Sequence, residues 1–180
     1  MAIISLRCHP ATPAETVTDI TVEYEIQPDG KLWLRYFVDC DIDNLALPLL
    51  AEPQRTDGLW KTCCFELFLR QPGSSSYFEF NFSPSSQWAA YRFDDYRESM
   101  TDWQTTVPEI YDDASETHFA LETTCSLPGM GHKAWEASLS AVIHERGDVK
   151  SYWALKHPLG DPDFHHRDCF ALKLAPPETL

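Results

Sequence analysis

Residues 60–97 read WKTCCFELFLRQPGSSSYFEFNFSPSSQWAAYRFDDYR. Three aromatic-rich segments with period-two alternation are separated there by Gly, Ser and Pro punctuation. Successive side chains of a strand point to opposite faces. Phe65, Leu67 and Leu69 therefore share one face of the first segment, with Cys64, Glu66 and Phe68 on the other. In the second segment Phe78, Phe80 and Phe82 form one row and Tyr77, Glu79 and Asn81 the opposing one. The pattern predicts neighbouring antiparallel strands with an apolar face turned inward and a polar-aromatic face able to hold a ligand.

The same alternation recurs on either side. Ile20–Ile26 (ITVEYEI) and Leu32–Val38 (LWLRYFV) flank the turn signal Gln27-Pro28-Asp29-Gly30, which makes them a hairpin. A short helical turn is expected around Leu45 to Ala51, and Thr56-Asp57-Gly58 turns the chain into Trp60. Glu98 to Ser115 reads as one long irregular loop, a kind of segment that is more often functional than average. Thr117–Cys125 alternates again. Trp135–His144 reads as a strand, with a short helix as the alternative, and is followed by a turn at Glu145–Asp148 and a returning strand over Val149–His157. The last strand is placed at Cys169–Leu174. About eight to ten strands at this spacing, without sustained helical periodicity, predict an all-β fold. It is an antiparallel β-sandwich of jelly-roll or immunoglobulin-like type, one domain over residues 1–180.

Composition narrows the function. A net charge of −14 argues against phosphate-backbone binding and against docking on an anionic membrane. No basic start followed by a long apolar run opens the chain, so a soluble, cytoplasmic protein with reduced cysteines is expected. Cys63 and Cys64 are adjacent on a strand and should point to opposite sides.

Three groups of residues could carry chemistry. Glu66 and Glu79 fall on neighbouring strands and on one face. Such a pair serves glycoside hydrolysis, ligand hydrogen bonding, or simply cross-strand pairing with Arg92. Trp60, Trp88, Tyr91, Trp103 and Trp153 sit at strand ends or in loops, where they could stack on the apolar face of a sugar while carboxylates, amides and Arg take its hydroxyls. The segment from His157 to Cys169 holds His157, His165, His166 and Cys169, at spacings that match no standard zinc module. His157 and His165 are expected to hydrogen-bond a ligand or pin the loop, and no metal site is assigned.

Residues 60–97 also resemble the central segment of the DOMON-like domains, the superfamily that includes family 9 carbohydrate-binding modules. The shared features are a Trp followed six residues later by an acidic strand residue, a Phe-Glu-Phe strand, and the pattern from Trp88 to Asp94. The closing SYWALKHPLGDPDFHHRDCFALKL is similar to the last two strands of that superfamily, and the pattern is most similar to a bacterial subgroup of it. The resemblance implies a sandwich that binds a small ligand without chemistry of its own. Trp60 and Glu66 would be the first aromatic platform and the acidic residue, Trp153 the second platform and Arg92 the hydroxyl-binding Arg, beside Glu79 and Asn81. Haem-binding relatives ligate iron with Met and His, which here would be Met100 with His157 or His165. The expected function is therefore a non-catalytic module for a carbohydrate or cell-wall-derived sugar, needing no cofactor. A haem-binding redox domain, a glycosidase-like hydrolase using Glu66 and Glu79, and a self-associating or protein-binding sandwich stay open as alternatives.

Overall fold

The computed structural model describes residues 1–127, 129 and 133–175. Among the described residues twelve strands follow one another: β1 (Ala2–Cys8), β2 (Asp19–Ile26), β3 (Lys31–Asp39), β4 (Cys64–Arg70), β5 (Tyr77–Phe82), β6 (Trp88–Phe93), β7 (Thr101–Asp102), β8 (Glu109–Ser115), β9 (His118–Ser126), β10 (Trp135–Glu145), β11 (Val149–Ala154) and β12 (Leu172–Leu174). They form two antiparallel sheets packed face to face. One runs β1-β2-β3-β9-β8 and the other β7-β6-β5-β4-β10-β11, with β12 continuing beside β10. β1 belongs to both: Ala2–Leu6 pair with β2, while Arg7 and Cys8 pair with β11. The β-sandwich expected from the alternation is thus the fold.

The alternating rows lie as their parity requires. Phe65, Leu67, Leu69, Phe80 and Phe82 are fully buried against Ile20, Val22, Leu34, Tyr36, Phe119 and Leu121 of the facing sheet. Tyr36 crosses that core and donates its hydroxyl to the Glu66 carbonyl oxygen at 2.7 Å, so the one polar group of the row is satisfied. Cys63 packs into this core and Cys64 into a second apolar cluster on the outer face of the β4 sheet. In the β2–β3 hairpin the Gly30 N–H reaches the Gln27 carbonyl at 2.9 Å, and its φ of +83° turns the chain so that the Lys31 carbonyl accepts the Gln27 N–H at 2.8 Å.

Several boundaries differ from the expectation, each for a traceable reason. The N-terminal stretch forms β1, with Leu6 buried and Ile4 packed against the core. Leu45–Ala51 is not a helical turn, because its backbone donors find partners elsewhere: Ala46 bonds the His144 carbonyl and Ala51 the Ser85 carbonyl, both at 2.9 Å. Short 3₁₀ turns lie instead at Ile42–Asn44, Leu59–Lys61 and Arg167–Cys169. The long loop expected over Glu98–Ser115 contains β7 and the edge strand β8, whose EIYDDAS sequence is mostly solvent-facing and lacks a clear apolar row. β10 runs eleven residues as strand, which settles the strand-or-helix alternative. The final strand shortens to Leu172–Leu174 because the 3₁₀ turn occupies Arg167–Cys169.

Candidate functional site

The outer face of the β4 sheet carries Glu66 and Phe68 of β4, Tyr77, Glu79 and Asn81 of β5, Tyr91 and Phe93 of β6, Ser138, Ser140 and Val142 of β10, and Tyr152 of β11. Register confirms the shared face: Glu66 lies opposite Asn81 and Ser140, Glu79 opposite Phe68 and Tyr91, and Val142 opposite Tyr152. Three connections rise around it. The Leu59–Lys61 turn brings Trp60, residues 94–100 bring Arg97 and Met100, and residues 158–168 bring Phe164 and His165. Together they enclose a cleft of about 710 Å³.

Local backbone geometry places the walls. Gly58 precedes the Trp60 turn at φ +74°, a left-handed conformation that Gly adopts without penalty. Trp60 remains 48% exposed at the cleft mouth, with the Lys61 ammonium 5.5 Å from its ring centre. Arg97 and Ser99 hold φ +54° and +53°, a conformation costing about 1–2 kcal/mol for residues with a Cβ. Asp163 offsets that cost by tying the two loops together. Its carboxylate accepts from Arg97 Nη2 at 2.8 Å and Tyr96 Oη at 2.6 Å, and from its own loop's His165 N–H at 3.1 Å. Burial works against the Asp163 charge, but these bonds hold its pKa below the usual carboxylate value.

The floor is defined by two buried carboxyls. Glu66 and Glu79 are 3% and 5% exposed. Glu66 accepts from Ser140 Oγ at 3.2 Å, and Glu79 from Asn81 Nδ2 at 2.9 Å. Among the described residues neither has a Lys or Arg salt-bridge partner, the ion pair of Arg97 being with Asp163. Burial, and for Glu66 the neighbouring Glu79, raise both pKa values above the ordinary glutamate value.

His165 forms the adjoining wall. Tyr77 Oη accepts the Arg97 backbone N–H at 3.1 Å, leaving its O–H to donate to His165 Nδ1 at 2.7 Å. The ring proton then sits on Nε2, 3.7 Å from Glu79 Oε2. Burial, assisted by Arg97, pushes the imidazole pKa down to about 4, so His165 is neutral at pH 7 and forms no ion pair with Glu79. That separation is longer than a direct hydrogen bond.

The residues singled out in the sequence divide between the cleft and elsewhere. Trp60, Glu66, Glu79 and His165 line it, and Asn81 lies fully buried beneath it as the partner of Glu79. Arg92 does not reach it: it stands opposite Phe78, on the other face of β6, and pairs with Asp94 at 3.0 Å. Trp153 faces the sandwich core, its Nε1 donating to Ser151 Oγ at 2.9 Å. His157 bonds the Arg7 carbonyl at 2.7 Å and packs edge-on against His9, outside the cleft lining. The arginine of the cleft is Arg97, and Trp60 is joined there by the rings of Phe68, Tyr91, Phe93, Tyr152 and Phe164. Tyr152 was legible by parity, one position from Trp153, whereas Arg97 lies in a loop and carries no periodic signal.

The histidine-rich loop does not converge. Cys169 Sγ donates to the Asp163 carbonyl at 3.2 Å, and His166 Nδ1 accepts the Asp168 N–H, also at 3.2 Å. Among the described residues no group of three His, Cys, Asp or Glu side chains is arranged to hold a metal ion. Of the residues considered for haem, His157 lies outside the cleft lining. Met100 lines the same cleft as His165.

No family model and no curated protein matches the chain. Among solved structures it is similar to a candidate carbohydrate-binding protein from Bacteroides uniformis, with TM-score 0.70 and 12% identity over 94% of this chain and 84% of that one. The likeness is one of fold. A family 9 carbohydrate-binding module from Caldicellulosiruptor kristjanssonii, in complex with glucose, aligns at TM-score 0.49 and 12% identity over 86% of this chain and 75% of that one.

Proposed function

We propose that this chain is a non-catalytic module that binds a small carbohydrate in the cleft on the outer face of the β4 sheet. One observation carries the reading: a half-exposed Trp60 stands at the mouth of a cleft whose floor and wall present Glu66, Glu79, Arg97 and the Nε2–H of His165. An indole offers a flat apolar surface for the C–H face of a sugar ring, and the polar groups beneath it match a rim of hydroxyls. The fold shared with a candidate carbohydrate-binding protein supports the same reading. The finer affiliation, to the DOMON-like domains, is supported by the Trp60–Glu66 spacing and the Trp88–Asp94 pattern. Calorimetry against neutral and charged mono- and disaccharides tests it. Saturable binding weakened at least about tenfold by Trp60→Ala is expected, since such an anchor is worth more than 1.4 kcal/mol. Binding that survives the substitution unchanged overturns the site.

The two buried carboxyls favour one alternative, a glycosidase-like hydrolase, because a buried glutamate with a raised pKa can act as general acid. Turnover of an aryl glycoside that is lost in both Glu66→Gln and Glu79→Gln would establish it. Turnover unaffected by either substitution excludes these residues from catalysis.

A further inference from the structure

The carboxyl floor asks for something that a neutral sugar does not supply. Glu66 and Glu79 are diagonal neighbours on β4 and β5 beneath the aromatic rings, and among the described residues each keeps one hydrogen bond of the several a carboxylate can accept. The charged groups facing them are already committed. Arg97 is paired with Asp163, Asp57 is held by Arg55 at 3.0 Å and by the Tyr91 hydroxyl at 2.7 Å, Lys61 lies over Trp60 at the rim, and His165 is a neutral donor. Around the floor stand the rings of Phe68, Tyr91, Phe93, Tyr152 and Phe164. Two buried acids inside a ring of aromatic faces form an environment complementary to an ammonium group. The acids take its N–H bonds and its charge, and the ring quadrupoles add a cation–π attraction.

We propose that the cleft is selective for an amino sugar, a 2-amino-2-deoxyhexose whose free, protonated amine sits over Glu66 and Glu79 while its ring stacks on Trp60. This rests on the carbohydrate reading and narrows it to a charge class. Neutral hydroxyl or acetamido groups at the same carbon leave the acid pair without a counter-charge. The ammonium lets the pair ionise, so binding releases a proton from the floor to solvent. The chain's net charge of −14 draws such a cation toward the protein before contact.

Three β-1,4 disaccharides that differ only at C2 decide the matter by calorimetry at pH 7: cellobiose with hydroxyls, N,N′-diacetylchitobiose with acetamides, and the deacetylated chitosan disaccharide with amines. The amine form should bind at least about tenfold tighter than the other two, a difference of about 1.4 kcal/mol. Its apparent enthalpy should change with the ionisation enthalpy of the buffer, reporting proton release. Glu66→Gln/Glu79→Gln, which keeps the shape and removes the charge, should abolish the amine preference, bringing the affinities for the amine form and cellobiose to within about threefold of each other, because Gln bonds hydroxyls and amines without a counter-charge. Equal affinity for the three, or preference for a neutral one, overturns the amine selectivity and leaves carbohydrate binding standing. Absence of binding by all three overturns both.

Discussion

His165 and Tyr77 carry the most specific statement about donor chemistry in the cleft. The Arg97 N–H bonds the Tyr77 oxygen, which favours the phenol donating to Nδ1, and in that arrangement the imidazole proton sits on Nε2, 3.7 Å from Glu79 Oε2. Tyr77→Phe removes that constraint and leaves a backbone N–H and a ring nitrogen without partners. The expected results are a loss of about 1–3 kcal/mol of stability in urea titration and a mixed tautomer signature for His165 in ¹⁵N NMR. A spectrum still showing only the Nε2–H form would mean that Tyr77 does not set the tautomer. Ser140 illustrates a quieter requirement. Its small side chain on β10, opposite Glu66, leaves room for the carboxyl and donates to it.

The loops at the cleft are held by few contacts, whereas the strands beneath them are held by many. Asp163 joins residues 94–100 to residues 158–168 through Arg97 and Tyr96. Asp163→Ala should therefore raise amide exchange in both segments and weaken ligand binding, with the strands of the β4 sheet keeping their protection. Unchanged exchange in residues 94–100 would show that the loop is held by other means. On the opposite face, Phe80→Ala removes a fully buried ring from the sandwich core and should cost about 3–5 kcal/mol by chemical denaturation. The contrast separates a site change from a fold change. Gly58→Ala falls between them: the left-handed backbone penalises Ala by about 1–2 kcal/mol, and an added Cβ meets the Lys61 side chain at 3.5 Å, an ordinary contact. A modest loss of stability with a larger loss of ligand affinity is expected, because the turn presents Trp60.

The pH dependence of stability belongs to the whole folded chain. Burial raises the folded pKa values of Glu66 and Glu79, so above the unfolded glutamate value of about 4.3 the folded protein binds more protons than the unfolded one. Their effect is a loss of stability as pH rises through the folded values. His165 works in the opposite sense. Its folded pKa of about 4 lies below the unfolded histidine value of about 6.5, so stability is lost as pH falls through that interval. Asp163, held low, adds to the loss on the acid side. Thermal melts across this range should show Glu66→Gln gaining stability relative to the parent as pH rises from about 5 to 8, the direction required by removing a raised acid. A gain that is constant with pH would mean that Glu66 is ionised in the folded state.

Alternation along residues 60–97 was sufficient to separate Phe65, Leu67, Phe80 and Phe82 from Glu66, Phe68, Glu79 and Asn81, because a strand's side-chain period is two whatever lies around it. That one property carried the sandwich, its inward row and the carboxyl floor. The edge strand β8 was hidden because solvent on its exposed side removes the apolar alternation, and β1 because its residues divide between two sheets. Arg92 was placed in the cleft by strand parity and Trp153 by the resemblance, and register put each on the other side of its strand. Arg97, Phe164 and the orientation of His165 come from loops, where no period links a residue to a direction. Only the packing of residues 94–100 and 158–168 over the β4 sheet, fixed by the bonds converging on Asp163 and Tyr77, brings them to the acids. Local periodicity determined which faces the strands would have; long-range contacts decided what stands above them.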